Sequence, residues 1–457
     1  MKSNLGGGSD AKEGIPRMCW NRRELLYGMA TTCAGFILPA LPTPQEKKVM
    51  LRVDAGRLQK RLEGLSVYGR PERGTFADGV SRVAYSDADV VGRNYAMNAM
   101  REAGLKPRID PAGNIFGARA GMGASLPRIL FGSHIDSVPN GGNFDGDVGS
   151  MSAIEVMQTL EENRVTTKHP LEMVIWSNEE NLVGSAVAGG GLDGNVLSRV
   201  FNGIRVEDGL RKIGGDPARL AEARIAPHSF CCYLELHIEQ GGTLDKAKIP
   251  IGVVEGIVSI DEYEVEIRGF ANHAGTTPMP ERRNALLAAA KLIEAVQDVV
   301  TREPGRQVGT VGQLQVFPNA HNVVPGLVKH TIELRDLSAE KIARMGDEIQ
   351  RRAQDIARQT GTEIQMKKVD HDPPAIADPE IQERIEEAAE RLGLKTMRLP
   401  SGAGHDAQWM ARLAPMGMIF VPSIGGVSHA PKELTPWQDC ANGASVLLHT
   451  ILLLDQR

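Results

Sequence analysis

The stretch RILFGSHIDSVPNGGNFDG, residues 128–146, decides the fold. Residues 128–132 form a short apolar run, which predicts a buried strand, and polar residues follow it at once. A helix is expected over about 149–162, and LEMVIW at 171–176 predicts a second buried strand. The order strand, helix, strand indicates an α/β fold, in which reactive groups collect just beyond the carboxyl ends of the strands.

Candidate metal ligands follow both strands. His134 and Asp136 are separated by one residue, so an extended chain puts them on the same face, where the Asp136 carboxylate could accept the second N–H of the imidazole. Asp145 lies in a glycine-rich turn that could return a carboxylate over the strand end. Taken alone, each of these residues could equally be an ordinary surface side chain.

The pair Glu179-Glu180 follows the second strand. Adjacent glutamates usually form a solvated acidic pair, but here one could bind a metal while the other, with a pKa raised by burial, accepts a proton from water. His237 and His429 complete a set of five with His134, Asp145 and Glu180. Nitrogen and oxygen ligands together suit two zinc-like ions, with Asp145 able to bridge them.

A different pattern begins near residue 257. The expected elements are a strand at 257–268, a helix at 283–300, a strand at 308–317, a strand at 327–335, a helix at 338–359 and a strand at 362–369. This β-α-β-β-α-β order is that of a ferredoxin-like module. A further strand at 418–421 and a helix at 436–454 then extend the first layer, so the module is interpreted as an insertion.

Composition excludes several functions. The 457 residues carry 52 basic and 57 acidic side chains, a net charge of −5, which argues against a nucleic-acid partner and against a basic membrane-binding patch. No stable membrane anchor is expected, because no run of about 18 apolar residues occurs. Five scattered cysteines do not make a disulfide scaffold, and the adjacent Cys231 and Cys232 are expected to pack in a strand.

The amino-terminal segment predicts export. Arg22 and Arg23 precede a weakly apolar stretch at 27–41, an order typical of a twin-arginine signal. Residues 1–45 are therefore treated as a leader, and the protein is expected to be periplasmic. The alternative is a disordered leader on a cytoplasmic protein, because no clear cleavage site follows.

These residues resemble the hydantoinase/carbamoylase branch of the di-zinc aminoacylase and carboxypeptidase superfamily, over about residues 52–455. This branch includes N-carbamoyl-L-amino acid hydrolases, allantoate and ureidoglycolate amidohydrolases, and β-ureidopropionase. The most specific stretches are GSHIDSV at 132–138 with FDG at 144–146, ELHIEQG at 235–241, GFANHAGTTPM at 269–279, NVVP at 322–325 and SGAGHDA at 401–407.

The resemblance implies a fold and a domain organisation. The fold is an α/β catalytic domain of the di-zinc exopeptidase type with an inserted ferredoxin-like α+β domain that acts as lid and dimerisation domain. The expected limits are 46–253 and 370–457 for the two parts of the catalytic domain and 254–369 for the insertion. A homodimer through the inserted domain is expected.

The resemblance also implies roles for particular residues. His134, Asp145, Glu180, His237 and His429 would hold two divalent ions per subunit, with zinc as the first choice and manganese, cobalt or nickel as alternatives. Glu179 would be the general base and Asp136 the orienting carboxylate. His273 would stabilise the oxyanion, and Arg335 would clamp a substrate carboxylate. Gln240 and Asn322 would hydrogen-bond nearby, and Gly404 and His405 are weaker substrate-binding candidates.

The sequence departs from the family after the acidic pair. Related chains typically run Glu-Glu-Gly-x-Arg-Phe, whereas this chain has Asn181, Leu182, Val183 and Gly184 after Glu180. Asp147 is also an unusual extra charge near the expected metals.

The expected activity is metal-dependent hydrolysis of a linear amide or ureido C–N bond, other than a peptide bond, in a small carboxylate-bearing molecule. The alternatives are an aminoacylase or dipeptidase of the same superfamily and an exported binding protein without catalysis. Retention of all five candidate ligands together with Glu179 argues against the binding protein.

Overall fold

The computed structural model describes residues 50–456. The expected leader, residues 1–45 with its arginine pair, lies outside the described residues. In the described part, no helix is both long enough and apolar enough to cross a bilayer.

The described residues contain eighteen strands and eleven α-helices. The strands are β1 (Arg108–Ile109), β2 (Ile115–Arg119), β3 (Arg128–His134), β4 (Leu171–Trp176), β5 (Val200–Phe201), β6 (Ile204–Arg205), β7 (Phe230–Ile238), β8 (Ile251–Ile257), β9 (Ser259–Arg268), β10 (Asn272–His273), β11 (Val308–Thr310), β12 (Leu314–Phe317), β13 (Val323–Val324), β14 (Leu327–Asp336), β15 (Glu363–Asp372), β16 (Ala375–Ile376), β17 (Thr396–Ser401) and β18 (Met416–Val421). The helices are α1 (Ala55–Leu65), α2 (Asp87–Glu102), α3 (Asp147–Glu162), α4 (Gly184–Ala188), α5 (Val206–Lys212), α6 (Thr243–Ala247), α7 (Ala285–Arg302), α8 (Ala339–Thr360), α9 (Pro379–Arg391), α10 (Asp406–Met410) and α11 (Trp437–Leu454).

The larger sheet has nine strands in the order β1-β2-β4-β3-β7-β18-β8-β16, with β17 also paired to β8. Its four neighbouring strands β4, β3, β7 and β18 are parallel to one another. Their carboxyl ends therefore meet at one edge of the sheet, as the sequence predicts for β3 and β4. The predicted helix between β3 and β4 is α3, which begins two residues earlier than expected.

Helices cover both faces of this sheet. On one face, the buried side chains of α1, α2, α3, α9 and α11 share one hydrophobic core with β3, β4, β7 and β18. On the other face, a second core contains Trp176, Tyr233 and Phe420 together with residues of α4 and α10. Strands that are buried on both faces read as continuous apolar runs, which explains why LEMVIW has no polar alternation.

The smaller sheet has five strands and lies between β8 and β16 in the chain. Its order is β11-β14-β9-β15, with β12 also paired to β14, and every pairing is antiparallel. Helices α7 and α8 cover one face through a separate hydrophobic core. Alternate residues of β9 and β14 enter this core, as expected for a sheet with one exposed face.

Local sequence explains the bounds of α8. Ser338 caps its amino terminus by accepting the N–H of Lys341, and Gly361 ends it in the left-handed conformation with φ of 63°. The buried positions Ile342, Met345, Ile349, Ala353 and Ile356 recur at helical spacing and form one apolar face.

The strand predictions were wrong in two places. The strand expected at 257–268 is divided, because Ile257 ends β8 of the larger sheet and Ser259 begins β9 of the smaller one. The strand expected at 308–317 is two short strands, β11 and β12, both paired to β14. The strand expected at 362–369 is β15, which continues as far as Asp372.

Candidate metal centre

Four strand ends supply the candidate ligands. His134 is the last residue of β3, and His237 is the last but one of β7. Glu179 and Glu180 lie in the turn after β4, and His429 lies in the loop that follows β18. Because these four strands are parallel neighbours, their carboxyl ends place side chains from residues 134 to 429 at one edge of the sheet.

Asp145 lies at the centre of this group. Its Oδ1 is 3.0 Å from Nε2 of His237 and 3.8 Å from Nε2 of His134. Its Oδ2 is 3.0 Å from Nε2 of His429, which in turn is 3.6 Å from Oε2 of Glu180. Two groups of three candidate ligands therefore share one carboxylate, with the ligand atoms of each group within 4.8 Å of one another.

The turn that carries Asp145 requires glycine. Gly146 has φ of 66°, and a Cβ at this position would lie 2.4 Å from the ring of His134. Any larger residue would therefore clash with a candidate ligand. The carboxylate of Glu433 accepts the backbone N–H groups of Phe144 and Asp145, at 2.9 and 3.0 Å, and so fixes the turn from outside.

Two side chains hold the Asp145 carboxylate itself. Gln240 donates to Oδ2 from Nε2 at 2.8 Å, and the Ser428 hydroxyl donates to the same oxygen at 3.0 Å. Sequence analysis assigned Gln240 to the substrate, and it also lines the cavity described below. Ser428 and Glu433 were not singled out, although both lie close to His429 in the sequence.

Backbone carbonyls set the tautomers of two histidines. Nδ1 of His134 is 3.0 Å from the carbonyl oxygen of Asp136, and Nδ1 of His237 is 2.9 Å from that of Ile238. A carbonyl can only accept, so each Nδ1 carries the proton and each Nε2 presents its lone pair to the centre of the group. This is the tautomer that binds a metal through Nε2.

The role expected for Asp136 differs from the one in the structure. Its carboxylate is 3.8 Å from Nδ1 of His134, too far for a hydrogen bond, so the backbone carbonyl orients the ring instead. The carboxylate accepts the N–H groups of Glu179 and Glu180, at 3.1 and 3.3 Å. Asp136 therefore positions the acidic pair.

Glu179 is buried beside the candidate ligands. Its Oε2 is 3.4 Å from Nε2 of His134. Burial, with Asp406 and Glu180 nearby, raises the pKa of Glu179 well above its usual range. A raised pKa makes a carboxylate a stronger base, which favours proton uptake from water by a general base.

The donor set fits two divalent cations. Nε2 of His237 is buried and makes no hydrogen bond of good geometry, although a carboxylate oxygen lies 3.0 Å away. An imidazole nitrogen that faces a buried carboxylate in this way is typical of a site where both groups bind the same cation. Burial lowers the pKa of His237, but the Asp145 carboxylate outweighs burial and raises it to about 9. The Asp145 carboxylate thus stabilises a positive charge beside His237.

A cavity of about 210 Å³ opens onto these residues. Its polar lining includes Asp145, Glu179, Glu180, His237, Gln240, His429, His405 and Arg335, and its remaining lining comes from Leu182, Ala403 and Gly404. Arg335 comes from the smaller sheet, where Nη1 donates to the carbonyl of Gly402 at 2.6 Å and Nε donates to Glu333 at 2.7 Å. A cation from one sheet therefore faces the candidate metal centre of the other.

His405 supports the centre from behind. It is buried, its ring packs edge-on against that of His237 with centroids 4.5 Å apart, and its Nε2 is 2.8 Å from the Ser401 hydroxyl. Burial lowers the pKa of His405 well below its usual range. It is therefore a neutral ring that contacts a candidate ligand.

A sequence model described as peptidase family M20/M25/M40 matches residues 130–453. This chain belongs to that family. An N-carbamoyl-L-amino acid amidohydrolase of Geobacillus stearothermophilus is 38% identical over 411 residues, which cover 88% of this chain and 99% of that protein. A ureidoglycolate hydrolase of Arabidopsis thaliana is 36% identical over 419 residues, 88% of this chain and 87% of that protein.

Solved structures agree with the sequence comparison. The crystal structure of a hydantoinase/carbamoylase family amidase from Burkholderia multivorans superposes with a TM-score of 0.81 and 35% identity, covering 88% of this chain and 98% of that one. The resemblance to the hydantoinase/carbamoylase proteins is thereby confirmed, as is the fold class expected from it.

Two expected site residues lie elsewhere. His273 is the last residue of β10 and Asn322 directly precedes β13, and both are exposed. Nδ1 of His273 accepts the N–H groups of Gly275 and Thr276, each at 3.1 Å. Neither residue lines the cavity, so their expected contacts with substrate stay predictions.

Asp147, which had no expected role, is paired. It forms an ion pair with Arg82, and both side chains are almost completely buried. Nε of Arg82 also donates to the carbonyl of Ile135 at 2.6 Å, and Nη1 donates to that of Tyr68 at 2.9 Å. Oδ2 of Asp147 thus has a cationic partner, whereas its Oδ1 is buried without a hydrogen bond. Burial raises the pKa of Asp147 to about 7, although Arg82 opposes this shift.

Proposed function

We propose that this chain hydrolyses the ureido C–N bond of N-carbamoyl-L-amino acids or of closely related ureido acids, with the help of two divalent ions. One observation carries the proposal: two ligand groups share Asp145 in a cavity that also contains Glu179 and Arg335. The names of the relatives, N-carbamoyl-L-amino acid amidohydrolase and ureidoglycolate hydrolase, support this choice of substrate.

The ligand groups define two ion positions. His134, Asp145 and His237 would hold one ion, and Asp145, Glu180 and His429 the other. Bound divalent ions would polarise the substrate carbonyl and lower the pKa of the attacking water. Zinc suits this mixture of imidazole and carboxylate best, and manganese, cobalt or nickel would serve where they are in better supply.

Glu179 moves the proton. It takes a proton from the water that attacks the carbonyl carbon, and later gives it to the nitrogen that leaves as an amine. The C–N bond breaks, the amino acid departs, and the remaining carbamic acid decomposes to carbon dioxide and ammonia. Asp136 keeps Glu179 in place through its backbone N–H.

Arg335 binds the substrate carboxylate. Its Nη1 now donates to the carbonyl of Gly402, and a carboxylate in the cavity would be a better acceptor for a guanidinium than that carbonyl. A positive group at this end and a pair of ions at the other would orient a ureido acid along the cavity. Gln240, Gly404 and His405 complete the lining around it.

The proposal includes a homodimer through the inserted domain. His273 and Asn322 lie on the surface of that domain, outside the cavity of their own chain, which supports their use by the cavity of a second copy. Mixing a His273→Ala chain with a Glu179→Gln chain should then restore part of the activity, which neither variant has alone. No recovery after mixing and refolding would count against this arrangement.

Export is proposed separately, from the sequence alone. The arginine pair at 22 and 23 supports a twin-arginine route to the periplasm. Cell fractionation of the full chain and of an Arg22→Lys, Arg23→Lys variant would test it, with retention of the variant in the cytoplasm as the expected result.

The decisive experiment combines metal analysis with product detection. Purified protein loaded with zinc or manganese should bind two ions per chain and release ammonia from N-carbamoyl-L-amino acids. Arg335→Lys should raise KM with less effect on kcat, because the single ammonium group of lysine cannot hold Glu333 with two nitrogens and also donate into the cavity. Two bound ions with turnover of N-acyl amino acids or dipeptides only, or with no turnover at all, would contradict the proposal.

A further inference from the structure

Leu182 has an unusual backbone conformation beside the cavity. Its φ and ψ are 49° and 50°, in the left-handed region that leucine seldom adopts. Its N–H donates to the carbonyl of Glu179 and so closes the turn that carries the acidic pair. Strained residues of this kind tend to persist at functional sites, where the surrounding structure holds them.

This conformation brings the Leu182 side chain to the cavity wall. Leu182 lines the cavity, and its Cδ1 lies 3.5 Å from the place that a Cβ on Gly404 would occupy. Leu182 and Ala403 are the apolar side chains among the lining residues, and all the others except Gly404 are polar or charged. The wall thus has one apolar patch, formed by Leu182, Ala403 and Gly404.

The three substituents of the substrate can be assigned to three parts of the wall. This assignment of the substituents rests on the proposed function. The ureido carbonyl belongs at the ligands around Asp145, and the carboxylate belongs at Arg335. The third substituent on the α-carbon, which is the amino-acid side chain, is left with the apolar patch.

We propose that Leu182 determines substrate specificity, by selecting N-carbamoyl amino acids with a short aliphatic side chain over ureido acids that carry a hydroxyl at that position. The small cavity favours a short side chain. The apolar patch offers a hydroxyl group no hydrogen-bonding partner, so ureidoglycolate would lose the hydrogen bonds that its hydroxyl makes with water.

Two variants of Leu182 test this proposal. Leu182→Asn keeps the number and branching of the side-chain heavy atoms, tolerates the left-handed conformation and makes the side chain polar. Leu182→Gly removes the side chain and also accepts this conformation. The quantity to measure is kcat/KM for N-carbamoyl-L-alanine relative to ureidoglycolate, because these two differ by a methyl against a hydroxyl group.

The wild type should favour N-carbamoyl-L-alanine by about 10-fold or more, and Leu182→Asn should remove most of this preference. Leu182→Gly should instead improve N-carbamoyl-L-valine relative to N-carbamoyl-L-alanine, because it enlarges the pocket. Gly404→Ala should do the opposite, since its methyl group would only just touch Leu182. The matched control is Leu287→Ala, an exposed leucine in α7, which should leave both ratios unchanged.

Binding of the products separates this proposal from the proposed function. Glycine, L-alanine and L-valine keep the carboxylate and the side chain, so calorimetry on the metal-loaded protein reports the apolar patch without any turnover. A failure of the proposed function would be a wild type that releases no ammonia. The role of Leu182 would be overturned if the kinetic ratios and the order of product affinities were the same in the wild type and both Leu182 variants.

Discussion

Asp147 and Arg82 form an ion pair whose side chains are only 2% and 1% exposed. Arg82 also donates to the carbonyl of Ile135, next to the candidate ligand His134, and Asp147 begins α3 just after Asp145. The pair therefore links two of the segments that carry candidate ligands. An intact buried ion pair contributes little to the free energy of unfolding. Removing only one of its two residues lowers that free energy strongly, because the other charge stays buried without a partner.

Asp147→Val should destabilise the protein by about 3–5 kcal/mol, because it leaves the Arg82 guanidinium buried without its partner. Denaturation by urea, with metal present, measures the change. Replacing both residues, as Arg82→Met with Asp147→Val, should recover part of the loss. A single replacement that costs less than about 1 kcal/mol would contradict this account of the pair.

Asp136→Asn should lower kcat by about 10-fold or more while both ions stay bound. The amide oxygen of the variant can still accept the N–H group of either Glu179 or Glu180. The amide NH₂ group then faces the second N–H group, which loses its acceptor. Steady-state kinetics with metal analysis of the same sample would check this. Loss of an ion would show instead that the carboxylate acts on His134.

The two glutamates should respond differently to the same change. Glu179→Gln should reduce kcat by about 10²-fold or more with two ions still bound, as expected when a general base is lost. Glu180→Gln should lower the affinity for one of the two ions, because Glu180 belongs to the group with Asp145 and His429. If the metal content fell in Glu179→Gln and not in Glu180→Gln, Glu179 would be the metal ligand and Glu180 the general base.

The ion pairs of Asp261 in the smaller sheet predict that the free energy of unfolding depends on pH. Burial raises the pKa of this carboxyl, but Lys368 and His371 outweigh burial and lower it below its ordinary value of 3.8. Nδ1 of His371 lies 2.6 Å from Oδ1 and Nζ of Lys368 lies 2.5 Å from Oδ2. Because the folded pKa is the lower one, the contribution of Asp261 to stability is present above about pH 4 and is lost as the pH falls through the folded pKa.

Asp261→Asn should therefore lower the free energy of unfolding by about 1–3 kcal/mol near neutral pH and by less at about pH 3. Urea denaturation at several pH values measures both differences. Glu264→Gln, at an exposed position of the same strand, is the control and should have little effect at any pH. An equal loss from Asp261→Asn at every pH would show that the carboxylate charge is unimportant.

The candidate ligands lie close together for a physical reason that the sequence contains. His134, Glu180 and His237 each belong to an apolar strand or to the turn just after one, and parallel strands end at the same edge of a sheet. The glycine turn around Asp145 is visible in the sequence because only glycine allows its backbone to pass so close to His134. Parallel strands with a ligand at or just after each carboxyl end are therefore enough to bring these residues together.

Contacts that depend on side-chain and backbone detail could not be predicted. The spacing of His134 and Asp136 is compatible with either a carboxylate or a carbonyl on Nδ1, and the structure has the carbonyl. Glu433 holds the Asp145 turn from far along the chain, and no local pattern reveals that contact. The break between β8 and β9 is also hidden, because apolar residues continue through it.

The ligand residues are distributed unevenly along the chain. His134, Asp145 and His237 all precede the inserted sheet, whereas His429 follows it. During synthesis on the ribosome, one group of ligands is complete once residue 237 has emerged, and the other must wait for residue 429. A nascent chain therefore contains every residue of the first group well before it contains His429. Proteolytic loss of the loop after β18 would likewise remove a residue of the second group and none of the first.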